Sequence, residues 1–266
     1  MTTQQIDKNH PDLTPEDIER FGPDPLTSFK ANLAQIHERI EAACKRAGRD
    51  VSDVRLLPIT KTVPENVLRY AFQAGIANFG ENKIQEASRK QEALQDLAIK
   101  WSIVGHLQTN KVKYMTRFAH EFHALDSLRL AGELNKKLAL ASRPMDIYIQ
   151  VNTSREESKF GMHPDELIPF IEALEQFPWL KPRGLMTLAA LGADIGRTRA
   201  CFRLLRDLRD QAARRNGAIT ALSMGMSGDF EEAIEEGATI VRVGQAIFGT
   251  RPLPDSHYWP ETGSGG

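Results

Sequence analysis

The stretch RLLPITKTVP, residues 55–64, decides the fold predicted for this chain. The run Arg55–Lys61 reads as a buried strand, because its apolar side chains follow one another with few interruptions. The strand ends on Lys61, and Pro64 can start a helix three residues later. A buried strand that leads directly into a helix is typical of parallel β–α units.

The same alternation continues along the chain. Each short apolar run is separated from the next by an amphipathic segment of helix length. The predicted strands are Arg55–Lys61, Ala77–Gly80, Lys100–Gly105, Glu121–Leu125, Asp146–Val151, Arg183–Leu188, Ala221–Met226 and Thr239–Gly244. Eight such units in 266 residues predict an α/β fold of the (β/α)8 TIM-barrel type, in preference to an open doubly wound sheet.

The chain is divided into three parts by its composition. Residues 1–24 carry three prolines and few large apolar side chains, so they are predicted to be a mobile arm that is longer than the barrel needs. An additional helix, Thr27–Gly48, opens the barrel domain predicted over residues 25–251. The Pro- and Gly-rich residues 252–266 are predicted to be a flexible tail.

Charge and cysteine content exclude several classes of function. A formal net charge of −1 gives no basic footprint for nucleic acid. The two cysteines, Cys44 and Cys201, have no partner at metal or redox spacing, which is typical of a reduced, cytoplasmic protein. The polar N-terminus and the absence of an 18-residue apolar run argue against export and against a membrane protein.

The position of Lys61 suggests amine chemistry. Ligand groups of (β/α)8 barrels come from the carboxyl ends of the strands. Burial in an apolar barrel mouth would lower the pKa of Lys61 and let its amine attack an aldehyde to form an imine. The alternative is a solvated lysine in a loop.

Two glycine-rich turns suggest an anion site. SMGMSGDF, residues 223–230, leads into a helix, and RVGQAIFG, residues 242–249, forms a second turn after the last strand. Both can present backbone N–H groups to a phosphate, and the loops after strands seven and eight are where barrels commonly bind one. Alternatively, these glycines only permit tight turns.

Arg242 lies two residues before Gly244 and therefore on the same face of the last strand. An arginine inside a barrel is costly unless its N–H groups find acceptors. An unprotonated ring nitrogen of a ligand could be one. A structural salt bridge to a nearby carboxylate is the alternative.

Several blocks of the chain resemble one known family. ITKTVP, NFGENKIQEA, IVGHLQTNK and LSMGMSGDFEEAIEEGATIVRVGQAIFG are similar to successive blocks of the pyridoxal phosphate homeostasis proteins. The fold of that family resembles the N-terminal barrel domain of alanine racemase. The resemblance covers roughly residues 27–251.

The resemblance implies a site for pyridoxal 5′-phosphate (PLP). Lys61 would hold the cofactor as an imine, Asn82 would lie beside its ring and Arg242 would face the pyridine nitrogen. The phosphate would rest on Ser223 or Ser227, between which the sequence does not choose, together with Gly244 and Gln245. His106 is interpreted as a wall of the site or a residue that orders a loop, and a general-base role for it is the alternative. Lys159 could touch the mouth of the site or be a solvated lysine.

The function implied is a PLP homeostasis protein that buffers or delivers the cofactor and affects the balance of amino and keto acids. No catalytic residue is assigned, because racemisation needs a second acid or base opposite the lysine and no tyrosine occupies a recognisable position. The alternatives are a PLP-dependent racemase or lyase, in which His106, Lys159 or a partner subunit supplies that group, and a phosphosugar or nucleotide barrel enzyme. PLP-requiring apoenzymes are possible partners, and a monomer is expected.

Overall fold

Eight parallel strands form the centre of the molecule in the computed structural model, which describes residues 12–156, 160–189 and 194–250. They are β1 (Arg55–Pro58), β2 (Asn78–Glu81), β3 (Lys100–Ile103), β4 (Glu121–Leu125), β5 (Met145–Gln150), β6 (Leu180–Met186), β7 (Ala221–Ser223) and β8 (Ile240–Val243). Their order in the sheet is β1-β8-β7-β6-β5-β4-β3-β2. Because the first and last strands of this order are β1 and β2, the sheet curls into a barrel that is nearly closed.

Helices surround this barrel. They are α1 (Pro15–Phe21), α2 (Pro25–Ala47), α3 (Glu65–Gln73), α4 (Ile84–Ala93), α5 (Val112–Met115), α6 (Leu128–Leu140), α7 (Leu167–Leu174), α8 (Ile195–Arg215), α9 (Phe230–Glu235) and α10 (Gln245–Phe248). Short 3-10 turns span Val51–Asp53, Thr109–Lys111 and Pro164–Glu166. The predicted (β/α)8 fold is confirmed. In the described part of the chain, no helix has the length and apolar character that crossing a bilayer requires.

Several strands and helices begin or end at other residues than the sequence predicts. The first strand stops at Pro58, so Lys61 lies in the turn that follows it. The helix predicted over Thr27–Gly48 spans Pro25–Ala47, because the Asp24 side chain caps its first turn and Gly48 takes the left-handed conformation that ends it.

The segment predicted as a mobile arm contains α1, over residues 15–21. Thr14 and Asp17 form a reciprocal capping box that satisfies the first turn of the helix. Phe21 is buried and packs edge-on against Phe29 of α2, with 6.3 Å between ring centroids. A cap and one aromatic anchor thus order a short polar segment. Residues 1–11 and the tail predicted over 252–266 lie outside the described residues.

The barrel closes between β1 and β2 with little backbone pairing. Alternate residues of β1 direct their N–H groups to β8, as Ile59 does to Val243, and Thr60 donates to Gly80 on the other side at 2.9 Å. Pro58 falls in the series that faces β2 and has no N–H to donate. The two strands are therefore joined by one bridge, between Ile59 and Gly80.

A buried ammonium group reinforces this junction. The Nζ atom of Lys90 on α4 donates to the carbonyl oxygen of Thr60 at 2.7 Å and to the carboxylates of Glu81 and Glu86 at 2.6 Å each. The side chains of Lys90 and Glu81 are fully buried. The hydroxyl of Thr60 also donates to Glu81, at 2.6 Å. The carboxyl ends of β1 and β2 are therefore held together by side chains where the backbone ladder is short.

The barrel interior is polar at the level of β4. Arg55 of β1 donates from Nη2 to both carboxylate oxygens of Glu121, at 3.0 and 2.9 Å, and Ser102 donates to the same carboxylate at 2.9 Å. Since β1 and β4 are not neighbours in the sheet, this ion pair crosses the interior. Burial alone would raise the pKa of Glu121, but the hydrogen bond from His123 and the charge of Arg55 outweigh it and hold the pKa at about 2.

Replacing Lys90 by Met should destabilise the protein by about 3–5 kcal/mol, because the carboxylate of Glu81 would remain buried without its counter-charge. Chemical unfolding followed by circular dichroism measures the loss. The matched control is Lys137→Met, which breaks a half-exposed pair with Glu133 at 3.8 Å and should cost less than about 1 kcal/mol. Equal losses for the two variants would contradict this account of the junction.

Replacing Glu121 by Gln should remove about 3 kcal/mol of stability at pH 7, as a pKa lowered from 4.5 to about 2 implies. The unfolded state binds the proton first as the pH falls, so this stabilisation is present above pH 4.5 and is lost between pH 4.5 and 2. Urea unfolding between pH 2.5 and 7 should give a flatter profile for Glu121→Gln. Glu175→Gln, a change at the exposed end of α7, should keep the slope of the original protein; parallel profiles for all three proteins would refute the assignment.

Candidate functional site

Lys61 lies at the carboxyl end of the barrel, beside β8. It follows Leu57 and Ile59 at alternate positions, and Leu57 is the register partner of Arg242. Lys61 is half-buried, and the residues on both sides of it are fixed by hydrogen bonds. Thr60 accepts from Lys90, and the Thr62 N–H donates to Glu86 at 2.7 Å. The backbone that carries the amine is thus held firmly in place.

Arg242 is buried, with 4% of its surface exposed, and binds neutral acceptors. Its Nη1 donates to Ser223 Oγ and its Nη2 to the carbonyl oxygen of Thr187, both at 2.8 Å. Burial lowers the pKa of Arg242 to about 10, so the guanidinium stays cationic at neutral pH. Among the described residues, no carboxylate forms a salt bridge with Arg242. The alternative interpretation of Arg242, a structural salt bridge, is therefore not observed in this part of the chain. These two bonds account for two of its five N–H donors.

A directed chain of hydrogen bonds continues from Arg242 across the barrel. Ser223 Oγ lies 3.0 Å from His123 Nδ1, and His123 Nε2 lies 3.1 Å from Glu121. Because the ionised carboxylate of Glu121 can only accept, His123 donates to it from Nε2, and Nδ1 of the neutral ring accepts from the Ser223 hydroxyl, whose oxygen accepts from Arg242. His123 then carries its hydrogen on Nε2, facing Glu121. Burial lowers the pKa of His123, which favours this neutral form.

A hydrogen bond joins the turns after β7 and β8. The Gly244 N–H donates to the Ser227 hydroxyl oxygen at 3.3 Å. Gly225 has φ +92°, and a Cβ atom on it would lie 2.6 Å from Ala233, so the first turn requires glycine. A Cβ on Gly228 would meet nothing within 4 Å, so the turn is open at that position. Since the Ser227 oxygen accepts from Gly244, its hydroxyl hydrogen can be donated to an anion that enters this turn.

The two serines have different surroundings. Ser223 is fully buried, with its hydroxyl between Arg242 and His123, whereas Ser227 is half-buried in the turn. The exposed Gln245 is the first residue of α10, directly after Gly244. The structure therefore brings Lys61, Arg242 and the turn of Ser227 and Gly244 to the ends of neighbouring strands.

Asn82 and His106 lie on the other side of Lys61, after β2 and β3. They line one groove together with Lys83 and Gln108. A Cβ on Gly105 would lie 2.2 Å from the Asn82 carbonyl oxygen, so the two loops approach closely only because that position is glycine. Asn82 is thus placed toward the groove rather than toward the turn of Ser227.

His106 is held by a ring contact and a carboxylate. Its ring stacks on Phe160 at 4.1 Å with an interplanar angle of 11°, and its Nδ1 lies 3.6 Å from Asp126. Burial raises the pKa of Asp126, and the nearby His106 opposes the shift. The arrangement agrees with the interpretation of His106 as a wall or loop-ordering residue. Lys159 lies outside the described residues.

The sequence did not identify the residues whose hydrogen bonds hold Arg242 in place. His123 and Glu121 stand two residues apart in the predicted strand Glu121–Leu125, so they share one face. Two polar side chains on one face of an otherwise apolar strand were a usable signal for a polar interior. Their partner, Ser223, could not be identified from that signal because β4 and β7 are distant in sequence and meet only across the barrel.

Comparisons with known proteins identify the family of the chain. The family model for the alanine racemase N-terminal domain matches residues 31–252. A pyridoxal phosphate homeostasis protein of Aquifex aeolicus is 44% identical over 220 residues, which is 82% of this chain and 96% of the relative. The structure of PipY from Synechococcus elongatus PCC7942 with PLP bound has a TM-score of 0.71 at 34% identity, over 80% of this chain and 100% of that chain.

Alanine racemases of lower sequence identity are similar to this chain in fold alone. Alanine racemase of Streptomyces lavendulae has a TM-score of 0.66 at 17% identity, over 86% of this chain and 59% of that chain. The barrel thus corresponds to part of the longer enzyme. On the strength of the 44% identical relative and the family model, this chain belongs to the pyridoxal phosphate homeostasis proteins, within the alanine racemase N-terminal domain family.

Proposed function

We propose that this protein binds PLP through Lys61 and buffers or delivers the cofactor without efficient catalysis. One observation carries the proposal: an amine, a buried guanidinium and an anion-binding turn converge at the ends of β1, β7 and β8. PLP supplies an aldehyde, an aromatic ring nitrogen and a phosphate, and each of these groups has one matching partner in that set. The PLP-bound structure of PipY, at 34% identity, supports the same reading.

Arg242 would face the ring nitrogen as a donor. Its pKa of about 10 keeps the guanidinium charged at neutral pH, and it can donate but not accept. A ring nitrogen opposite it is kept unprotonated, which limits how much electron density the ring can withdraw from a bound amino acid. The chain of Ser223, His123 and Glu121 holds Arg242 in that orientation.

The phosphate would rest on Ser227, Gly244 and Gln245. We propose Ser227 and exclude Ser223 from this role, because the Ser223 hydroxyl is occupied by Arg242 and His123. Ser227 lies in the open turn beside the Gly244 N–H. Asn82 would contact the side of the ring that faces the groove, since it lies after β2, next to β1.

Efficient racemisation needs a second acid or base near the cofactor, and the described tyrosines are poorly suited to the task. Tyr148 is buried against the His123 ring at 4.0 Å, and burial raises its pKa to about 12. Tyr70 and Tyr114 lie on the surrounding helices α3 and α5. A site with one reactive amine is suited to holding and transferring an aldehyde, so we propose PLP-requiring apoenzymes as acceptors. We also propose that the working form is a monomer in the cytoplasm.

The test is to load the purified protein with PLP, reduce it with borohydride and map the modified peptide by mass spectrometry. We expect a visible absorption band before reduction and the added mass on Lys61. The loaded protein in D2O should exchange the Cα hydrogen of added alanine more slowly than about 1 per second, the lower end of ordinary enzymatic rates.

The matched variants are Lys61→Ala and Lys83→Ala. Lys83 is an exposed lysine of the groove near Lys61, so its replacement should leave the band and the adduct unchanged. The Lys61→Ala protein should lose both. A colourless original protein, or an adduct that persists in Lys61→Ala, rules out the proposed amine; rapid Cα exchange would favour a racemase or lyase.

Replacing Ser227 by Ala should weaken PLP binding about tenfold, while binding of pyridoxal, which lacks the phosphate, stays the same, because one hydrogen bond to a charged acceptor is lost. Titration with both ligands measures the ratio of the two affinities. Ser223→Ala is the matched control and should leave the ratio unchanged. A ratio that falls in Ser223→Ala and not in Ser227→Ala would reverse the assignment of the two serines.

A further inference from the structure

Helix α1 contacts the turn that carries Lys61 through a single arginine. Arg20 Nη1 donates to the Thr62 carbonyl oxygen at 2.6 Å, and Nη2 donates to the Thr62 hydroxyl at 2.9 Å. The Nε of the same guanidinium donates to the carbonyl oxygen of Thr250 at 3.3 Å. Thr62 directly follows Lys61, and Thr250 lies two residues after α10, which begins in the anion-binding turn. Arg20 therefore links the segment of the amine to the segment of the anion site.

The contact is made to a residue in an unfavourable conformation. Thr62 has φ +67°, in the left-handed region that β-branched residues rarely adopt. Such a conformation persists only where neighbouring groups hold it in place. On one side the Thr62 N–H donates to Glu86, which Lys90 holds; on the other side its carbonyl and hydroxyl bind Arg20. The conformation of the turn thus depends on two helices, α4 and α1.

Helix α1 is itself anchored, so Arg20 has a fixed position. Asn66 of α3 donates from Nδ2 to the Asp12 carbonyl oxygen at 3.0 Å and to the Asp17 carboxylate at 2.8 Å. Phe21 packs on Phe29, which in turn packs edge-on against Phe248 of α10 at 5.3 Å. Residues 15–21 precede residue 31, where the match to the family model begins.

We propose that Arg20 is a positioning residue for Lys61 and that docking of α1 controls how long the protein retains its cofactor. The proposal rests on the proposed function, since it concerns the amine that binds PLP. When α1 is docked, the strained Thr62 keeps the Lys61 backbone fixed beside the anion turn. When the contact is lost, Thr62 relaxes to an ordinary conformation, the Lys61 backbone moves, and the cofactor is released faster.

The first measurement needs no cofactor. Hydrogen exchange followed by mass spectrometry on the apo protein should show about tenfold faster exchange in a peptide spanning residues 60–64 for Arg20→Met, the effect of losing a hydrogen bond from a charged donor. Peptides from β4 should keep their rates, because β4 is not a sheet neighbour of β1, the strand that leads into the turn of Thr62. Arg20→Lys, which keeps the charge but not the planar fork, should give an intermediate rate.

The second measurement follows release from the PLP-loaded protein. After mixing with an excess of an apo-aminotransferase, Arg20→Met should lose the visible band about tenfold faster than the original protein. The matched control is Arg39→Met. The guanidinium of Arg20 lies over the Phe21 ring at 4.6 Å, and that of Arg39 lies over the Phe230 ring at 4.4 Å. Arg39 also binds Glu231 at 2.7 Å, on the outer face of α2 and α9. Its release rate should be unchanged.

Three results would overturn the proposal: unchanged exchange and release in Arg20→Met, equal effects of Arg20→Met and Arg39→Met, or faster exchange throughout the chain, which would make Arg20 a general stabilising residue. Failure of the proposed function is a separate outcome. In that case the original protein forms no adduct at Lys61, while the exchange of residues 60–64 still reports on Arg20 without any cofactor.

Discussion

The position of Lys61, the amine proposed to bind PLP, depends on the buried ammonium group of Lys90. The barrel must close between β1 and β2, and Pro58 removes one N–H from the edge that faces β2. Lys90 compensates with three short bonds, one of them to the carbonyl oxygen of Thr60. Since Thr60 precedes Lys61, the same ion pair that closes the barrel also fixes the residue that carries the site.

The second constraint is that a guanidinium must remain charged inside a barrel. Arg242 remains charged because it donates to neutral acceptors, and a chain of hydrogen bonds connects it to Glu121. The negative charge of Glu121 is balanced by Arg55. In such a chain each donor fixes the direction of the next hydrogen, so neutral His123 is part of the orientation of Arg242. The barrel interior therefore contains a polar network at this level, and the hydrogen bonds and the Arg55–Glu121 ion pair within it reduce the cost of burying its charges.

The residues proposed to bind PLP all belong to the barrel or to the turns that follow its strands. The barrel alone provides the amine, the arginine and the anion turn, because all three stand on β1, β7 and β8 or in the turns that follow them. Of the described tyrosines, Tyr148 is buried against His123, and Tyr70 and Tyr114 lie on outer helices. Under the proposed function, this arrangement favours reversible binding of an aldehyde over rapid proton transfer at a substrate carbon.

Local sequence predicted the features that short-range physics controls. The alternation of apolar runs with amphipathic segments determined the eight β–α units, because side-chain periodicity differs between strands and helices. Lys61 and the turns around Gly225 and Gly244 could be placed for the same reason, since each lies at or next to the end of a predicted strand. The order of α1 was missed because it depends on a capping box and on Phe21 reaching Phe29, although few apolar residues surround it.

Only the tertiary structure determined which residues that are distant in sequence contact one another. The proposal of Ser227 over Ser223 for the phosphate rests on His123, which lies 100 residues from Ser223 in sequence and contacts it across the barrel. Lys90 and Arg20 were not found from sequence because each acts by reaching another element, and a surface lysine and a buried one look alike in a helix of mixed polarity. Periodicity fixes which face a residue occupies, but contact across a closed sheet depends on strand order and register, which no single segment contains.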